Sequence, residues 1–194
     1  MIALFILLMI GVGLVFMGCQ ATRAGYESAA YQVVRVDGKF ELRDYPALAV
    51  AETAMAPDSN GADGSFNRLF GFITGRNETK RKIAMTTPVF MSGNATNRTM
   101  AFVLPGRLSA GKAPLPTDAS VTLRELPAGQ FAVLRFSGGR STLRESEALE
   151  RLQAWTAAQG LTVIPPPVFA YFDPPWTPGF LRRNEVMLRA VMSH

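Results

Sequence analysis

Four large apolar side chains and a burst of cations stand side by side in the middle of this chain. Phe66, Leu69, Phe70 and Ile73 recur at i, i+3, i+4 and i+7, the spacing that lines one face of a helix. Arg76, Lys80, Arg81 and Lys82 follow directly, and Met85 lies just beyond them. An apolar shelf beside a cationic rim suits non-covalent binding of a flat apolar ligand with acidic groups. The shelf removes ring surface from water, and the cations meet the carboxylates. The same pattern also fits a core-facing helix followed by a solvated charge run. The two readings compete for the same atoms. Full burial of each such side chain is worth ~1.5–3 kcal/mol, so a core should claim most of the face and leave a ligand the helix margin, Phe72 and the basic turn.

Other chemistries lack their residues. Cys19 is the only cysteine and His194 the only histidine. An internal disulfide, a Cys/His metal cage and a Ser-His-Asp or Cys-His nucleophilic site are therefore excluded within this chain. Asp44, Glu125 and Asp173 fall near expected strand ends, but nothing brackets a pair of them as an acid–base site. The reading is a binding protein, not an enzyme. The net charge of +5 is compatible with anionic ligands or anionic lipid surfaces. Outside 76–82 the basic residues are scattered, which does not point to a nucleic-acid partner.

The elements that must position the shelf can be read from their signals. Ser65 is placed to cap the helix, and Gly75 suits the position of positive φ after its end. Met85–Met91 reads as an extended run, confined by Pro88 to an edge or a strand start. Before the helix, YQVVRV and FELRDY flank Asp37-Gly38, a strong hairpin signal. ALAVAETAM continues the strand beyond Pro46, and 57–64 is a loop. After it, TMAFVLP is a strand, and the Pro/Gly/Ala-rich stretch 105–119 reads as a linker or surface loop. The rest repeats this plan. Leu42-Arg43 and Pro46 match Leu123-Arg124 and Pro127, and Pro88-Val89-Phe90 matches Pro167-Val168-Phe169. A second helix has Thr142 and Glu145 at capping-box spacing, Ala148, Leu149, Leu152 and Trp155 on one face, and Gly160 at its end. Trp176 reads as a packed loop anchor. Two helices on about eight antiparallel strands, in two duplicated halves, make an α+β domain with a closed or nearly closed sheet.

Residues 1–18, MIALFILLMIGVGLVFMG, carry no polar side chain and precede Cys19. Gly18-Cys19 resembles the processing site of bacterial lipoproteins, where the thiol is acylated. An uncleaved membrane span and a cleaved secretory signal are the alternatives. Each puts the domain at the cell envelope, outside the cytoplasm or at a membrane face. Residues 19–30 read as a tether, and the domain as 31–194.

Several motifs resemble one family in order along the chain. Phe66, Leu69, Phe70, Phe72, Ile73, Gly75, Asn77, Ile83, Met85, Thr86, Pro88 and Val89 resemble the signature of the SOUL haem-binding family. Glu41, Arg43 and Tyr45 resemble its early E-x-R-x-Y strand, and Tyr171 to Trp176 its late Y-x-x-P-W segment. The resemblance covers about 31–191. It implies a distorted antiparallel β-barrel flanked by two helices and built from two related halves. It also implies non-covalent binding of haem or free porphyrin along the first helix and its turn. Phe66, Leu69, Phe70, Phe72 and Ile73 would give apolar contact, Arg76, Lys80 or Arg81 would meet the propionates, and Met85 would be the nearby sulfur. With His194 the only histidine, binding without histidine ligation is expected. The protein would be a carrier, buffer or sensor. The alternatives are an enzyme that removes iron from haem, or a general effector domain, since the architecture also resembles the ligand-sensing domains of bacterial multidrug regulators.

Overall fold

The computed structural model describes residues 25–57, 62–94 and 96–192. The expected leader at 1–18, Cys19 and His194 lie outside the described residues. In chain order the elements are β1 (Glu27–Ser28), β2 (Gln32–Asp37), β3 (Phe40–Tyr45), β4 (Leu48–Met55), α1 (Ser65–Ile73), β5 (Thr86–Thr87), β6 (Val89–Gly93) and β7 (Arg98–Val103). Then come β8 (Val121–Leu126), β9 (Gly129–Phe136), α2 (Thr142–Ala158), β10 (Leu161–Tyr171), a 3-10 turn (Gly179–Leu181) and β11 (Asn184–Met192). β1 pairs in parallel with β5, Glu27 opposite Thr86, so the folded part begins before Tyr31 and includes the end of the expected tether. No helix among the described residues is long and apolar enough to cross a membrane.

Nine strands form one antiparallel sheet in the order β2-β3-β9-β11-β10-β6-β7-β4-β8. Apart from β2, this order is a palindrome of the two halves. Exchanging β3 with β8, β4 with β9, β6 with β10 and β7 with β11 returns the same sheet. The registers agree as well: Val50 faces Arg124 across β4–β8, and Phe131 faces Arg43 across β9–β3, an offset of 81 residues in both strands. The pseudo-twofold axis passes between β6 and β10, where Phe90 lies opposite Ala170 and Phe169 opposite Met91.

The sheet is α+β as expected, but the barrel is not closed. β2 occupies the outer edge of β3, the edge that β8 would have to take. The chain nevertheless forces the sheet to curl. β3 and β4 stand near opposite ends of the strand order, yet only Pro46-Ala47 separates them in sequence. Pro127-Ala128 makes the equivalent crossing from β8 to β9. Such a link spans about 10 Å at most.

Strand alternation divides the side chains between two faces. On one face, α1 buries Leu69, Phe72 and Ile73 against Met91, Met100 and Phe102. On the same face, α2 buries Ala148, Leu152 and Trp155 against Leu134, Val186 and Leu188. The helix-free face turns inward, and Val50, Phe90, Val133, Ala170 and Met187 pack inside the curl.

Several local expectations change. Gly64, at φ +81°, is the N-cap of α1, and Ser65 is the first helical residue. The Asp63 carboxylate serves this end, accepting from the Ser65 N–H at 3.1 Å and the Ala56 N–H at 2.6 Å. Ser141 precedes α2, and no capping box forms, because Glu145 is buried and accepts instead from the Tyr171 hydroxyl. The stretch 105–119 is a loop of the domain and not a linker. Ala113 enters the α1 core, and the Glu78 N–H donates to Leu115 O at 3.0 Å. Trp176 is 78% exposed and so does not anchor its loop.

Candidate functional site

The face of α1 divides. Leu69 and Ile73 go to the core as the competition favours, but Phe72, expected to be left to a ligand, is buried with them at 1% exposure because it packs into the same core cluster. These three offer a ligand almost no surface in this conformation. Phe66 and Phe70 stay outside, 37% and 43% exposed. Their rings stack at 5.8 Å between centroids and 14° between planes, and Phe66 also meets the edge of Phe102 at 5.3 Å. The shelf is therefore this aromatic pair at the margin of the helix, not the whole face.

The basic turn leaves the helix end with a fixed shape. Gly75 has φ +122°, a value that L side chains rarely adopt, so glycine is required there. Asn77 is buried and holds the turn from inside. Its Nδ2 donates to Phe72 O at 3.0 Å and Arg81 O at 2.7 Å, while its Oδ1 accepts from the Arg81 N–H at 3.1 Å. The loop around Leu115 straps the turn from outside, with the Thr117 N–H donating to Arg76 O at 3.3 Å. Arg76 lays its side chain over Gly71, where a Cβ would come within 2.9 Å of Arg76 Cδ. Arg76, Lys80 and Arg81 are all exposed. Met85 is half-buried against the α1 core cluster. Exposed cations on a turn held by these hydrogen bonds, following the helix that carries the exposed aromatic pair, can hold a planar acid without ordering a loop first.

Sequence reasoning missed what the helix-free face holds. Arg43, with no exposed surface, donates to Glu185 in a fork at 2.7 and 3.0 Å, to Glu41 at 2.7 Å and to the Tyr45 hydroxyl at 3.0 Å. Arg183 donates to Glu185 at 2.7 and 2.9 Å, and Arg135 pairs with Glu41 at 2.7 Å. Burial works against the charge of Arg43, but the hydrogen bonds and charge of Glu185 outweigh it and hold the guanidinium pKa above its usual range. Burial likewise acts to raise Glu185, and Arg43 followed by Arg183 overcomes it, leaving the carboxylate below its ordinary pKa. Burial pushes the Tyr45 phenol up to about 12 despite the opposing charge of Arg43. The E-x-R-x-Y strand was the available signal: its alternation points Glu41, Arg43 and Tyr45 to one face. This network is cross-bracing within the sheet, with its polar groups paired among themselves.

Beside the network, still on the helix-free face, the curl forms a cavity of about 370 Å³ that is open to solvent. Tyr45, Leu48, Phe90, Phe131 and Met187 give it apolar walls, and Glu52, Arg124 and Arg189 bring charge to it. Among the described residues, no group of His, Cys, Asp and Glu could hold a metal ion.

Comparison with known proteins places this architecture. The EcmrR C-terminal domain superposes with a TM-score of 0.62 at 14% identity, over 84% of this chain and 99% of that one. An uncharacterized conserved protein from Listeria innocua gives 0.61 at 12% identity, over 79% and 92%. A hydrolase from the same organism gives 0.59 at 12%, over 81% and 94%. At these identities the likeness is one of fold alone. No curated protein sequence matches. The family model described as SOUL heme-binding protein matches residues 26–189, and the chain therefore belongs to the SOUL haem-binding family.

Proposed function

We propose that the protein holds haem or another tetrapyrrole on the Phe66–Phe70 shelf, as a non-enzymatic carrier, buffer or sensor at the cell envelope. The observation that carries this reading is the pair of stacked, solvent-exposed phenylalanine rings beside a rigid basic turn, in a chain of a haem-binding family. The residues fit the organic part of the ligand. A macrocycle laid on Phe66 and Phe70 takes their ring surface out of water. Arg76, Lys80 and Arg81 stand where propionates need cations. The described residues include no histidine, and Met85 is packed against the core, so the residues present suit the ring and its acids better than the iron. The envelope location rests on the apolar stretch 1–18 and Cys19 in the sequence.

Haem titration into the full-length protein, followed in the Soret band, tests the reading. The expected result is saturable binding in the micromolar range, about −8 kcal/mol, with a spectrum unlike that of histidine ligation. Phe66→Ser with Phe70→Ser should weaken binding about tenfold or more. A Soret change no greater than with a non-specific control protein overturns the proposal, as does unchanged affinity in the double variant.

A further inference from the structure

The cavity inside the curl has a chemistry of its own. Its charged groups do not cancel. Arg124 donates to Glu52 at 2.8 Å, which neutralises both. Arg189 has no carboxylate partner among the described residues. Its guanidinium donates only to main-chain oxygens, Ala128 O at 2.6 Å and Pro127 O at 3.3 Å, and lies 5.5 Å from the centre of the Phe131 ring. One half-buried cation without a carboxylate partner among the described residues thus stands beside the aromatic wall of the pocket.

Gly129 makes room for that cation. A Cβ at this position would lie 2.5 Å from Arg189 Nη2 and 2.7 Å from Cζ. In the other half the equivalent of Gly129 is Leu48, through the shared register in which Leu48 faces Leu126 and Gly129 faces Tyr45. The equivalent of Arg189 is Val103, since Val50 faces Val103 and Phe131 faces Arg189. A leucine–valine pair in one copy is a glycine–arginine pair in the other. Leu48 and the neutralised Glu52–Arg124 pair thus line one side of the cavity, and the cation of Arg189 lines the other.

We infer that this cavity is a second binding site, separate from the α1 shelf, for a hydrophobic monocarboxylate of aromatic character. Phe90, Phe131 and Tyr45 face its ring, and the Arg189 guanidinium takes its carboxylate. The volume lies at the lower end of the range for small-molecule sites, and the single free charge selects a monoanion.

The test is titration of the full-length protein with 2-naphthoate, its methyl ester and 2-naphthylmethylammonium, read by calorimetry and by amide chemical shifts. The expected result is saturable binding of naphthoate, at least tenfold tighter than either analogue, with shifts at Phe90, Phe131 and Arg189. Arg189→Leu should erase the preference for naphthoate over the ester. Phe66→Ser with Phe70→Ser should leave naphthoate binding unchanged, whatever becomes of haem. Equal binding of the three probes by the unmodified protein overturns the inference without any variant. Displacement of naphthoate by haem also overturns it, because the two sites would then be one.

Discussion

Arg43 and Arg124 occupy the same place in two copies of one backbone, and their surroundings have little in common. Arg43 is sealed between Glu41, Glu185 and Tyr45. Arg124 keeps half its side chain in solvent and, among the described residues, pairs with Glu52 alone. The matching registers show what changed. Glu185 faces Arg135 on β9, and the equivalent pair in the other half is Thr99 facing Ala54 on β4. Glu41 corresponds to Thr122 by the same offset. Where one half carries an ionic cluster, the other carries threonines and an alanine, and the cavity opens beside them. Duplication conserved the hydrogen-bond ladder. It left the side chains on the helix-free face free to diverge, one copy toward bracing and the other toward open space.

Substituting the two arginines should separate these roles most strongly. Arg43→Met is expected to cost about 3–5 kcal/mol of folding stability, because it strands buried carboxylates. Arg124→Met should cost under ~1 kcal/mol, as for an exposed pair. Urea denaturation of both variants measures the difference, and equal losses would erase the contrast. Acid should act on the same cluster next. The folded pKa of Glu185 is depressed, so its contribution is present above the ordinary value of 4.5 and is lost as pH falls through the folded pKa. The denaturation midpoint should fall below pH 4.5, and less steeply in Arg43→Met. At the alkaline end, the phenol of Tyr45 is raised from 10 to about 12. The stability it supplies is full below pH 10 and fades as pH rises toward 12, again monitored by the midpoint. The smallest effect belongs to Thr99→Glu, which gives Arg124 a version of the Glu185 partner. It should alter stability by less than ~1 kcal/mol while weakening 2-naphthoate binding, since it adds a negative charge to the cavity.

Much of the architecture was legible in the sequence. The Leu-Arg and Pro-Val-Phe repeats disclosed the duplication, because identical registers need matching spacings. Trp155 was read as core and is. Its ring stacks on Phe40 at 5.2 Å and its Nε1 donates to Asp37 at 2.8 Å. Gly75 was read as the positive-φ position and is. Of the apolar stripe on α1, only Phe66 and Phe70 keep exposed surface, which the spacing alone does not distinguish. Periodicity defines a stripe, whereas α1 buries an arc centred on Leu69, Phe72 and Ile73, and so leaves the stripe's edge, Phe66 and Phe70, outside. Trp176 was misread because exposure depends on what the loop packs against, which composition does not encode. The ionic cluster was out of reach because Arg43 and Glu185 are 142 residues apart and meet only through the strand order. The cavity was out of reach for the same reason, since its walls come from strands of both halves.

The crossings at Pro46-Ala47 and Pro127-Ala128 exchange strands between the halves: β3 is zipped to β9, and β8 to β4. A lone C-terminal half would therefore leave β8 without a partner, a lone N-terminal half would leave β3 only β2, and a pair of such halves would supply one another. Cleaving the chain within 106–119 should yield two fragments that hold together and come apart only in denaturant. In this sense the polypeptide is a tethered pair of interlocked units.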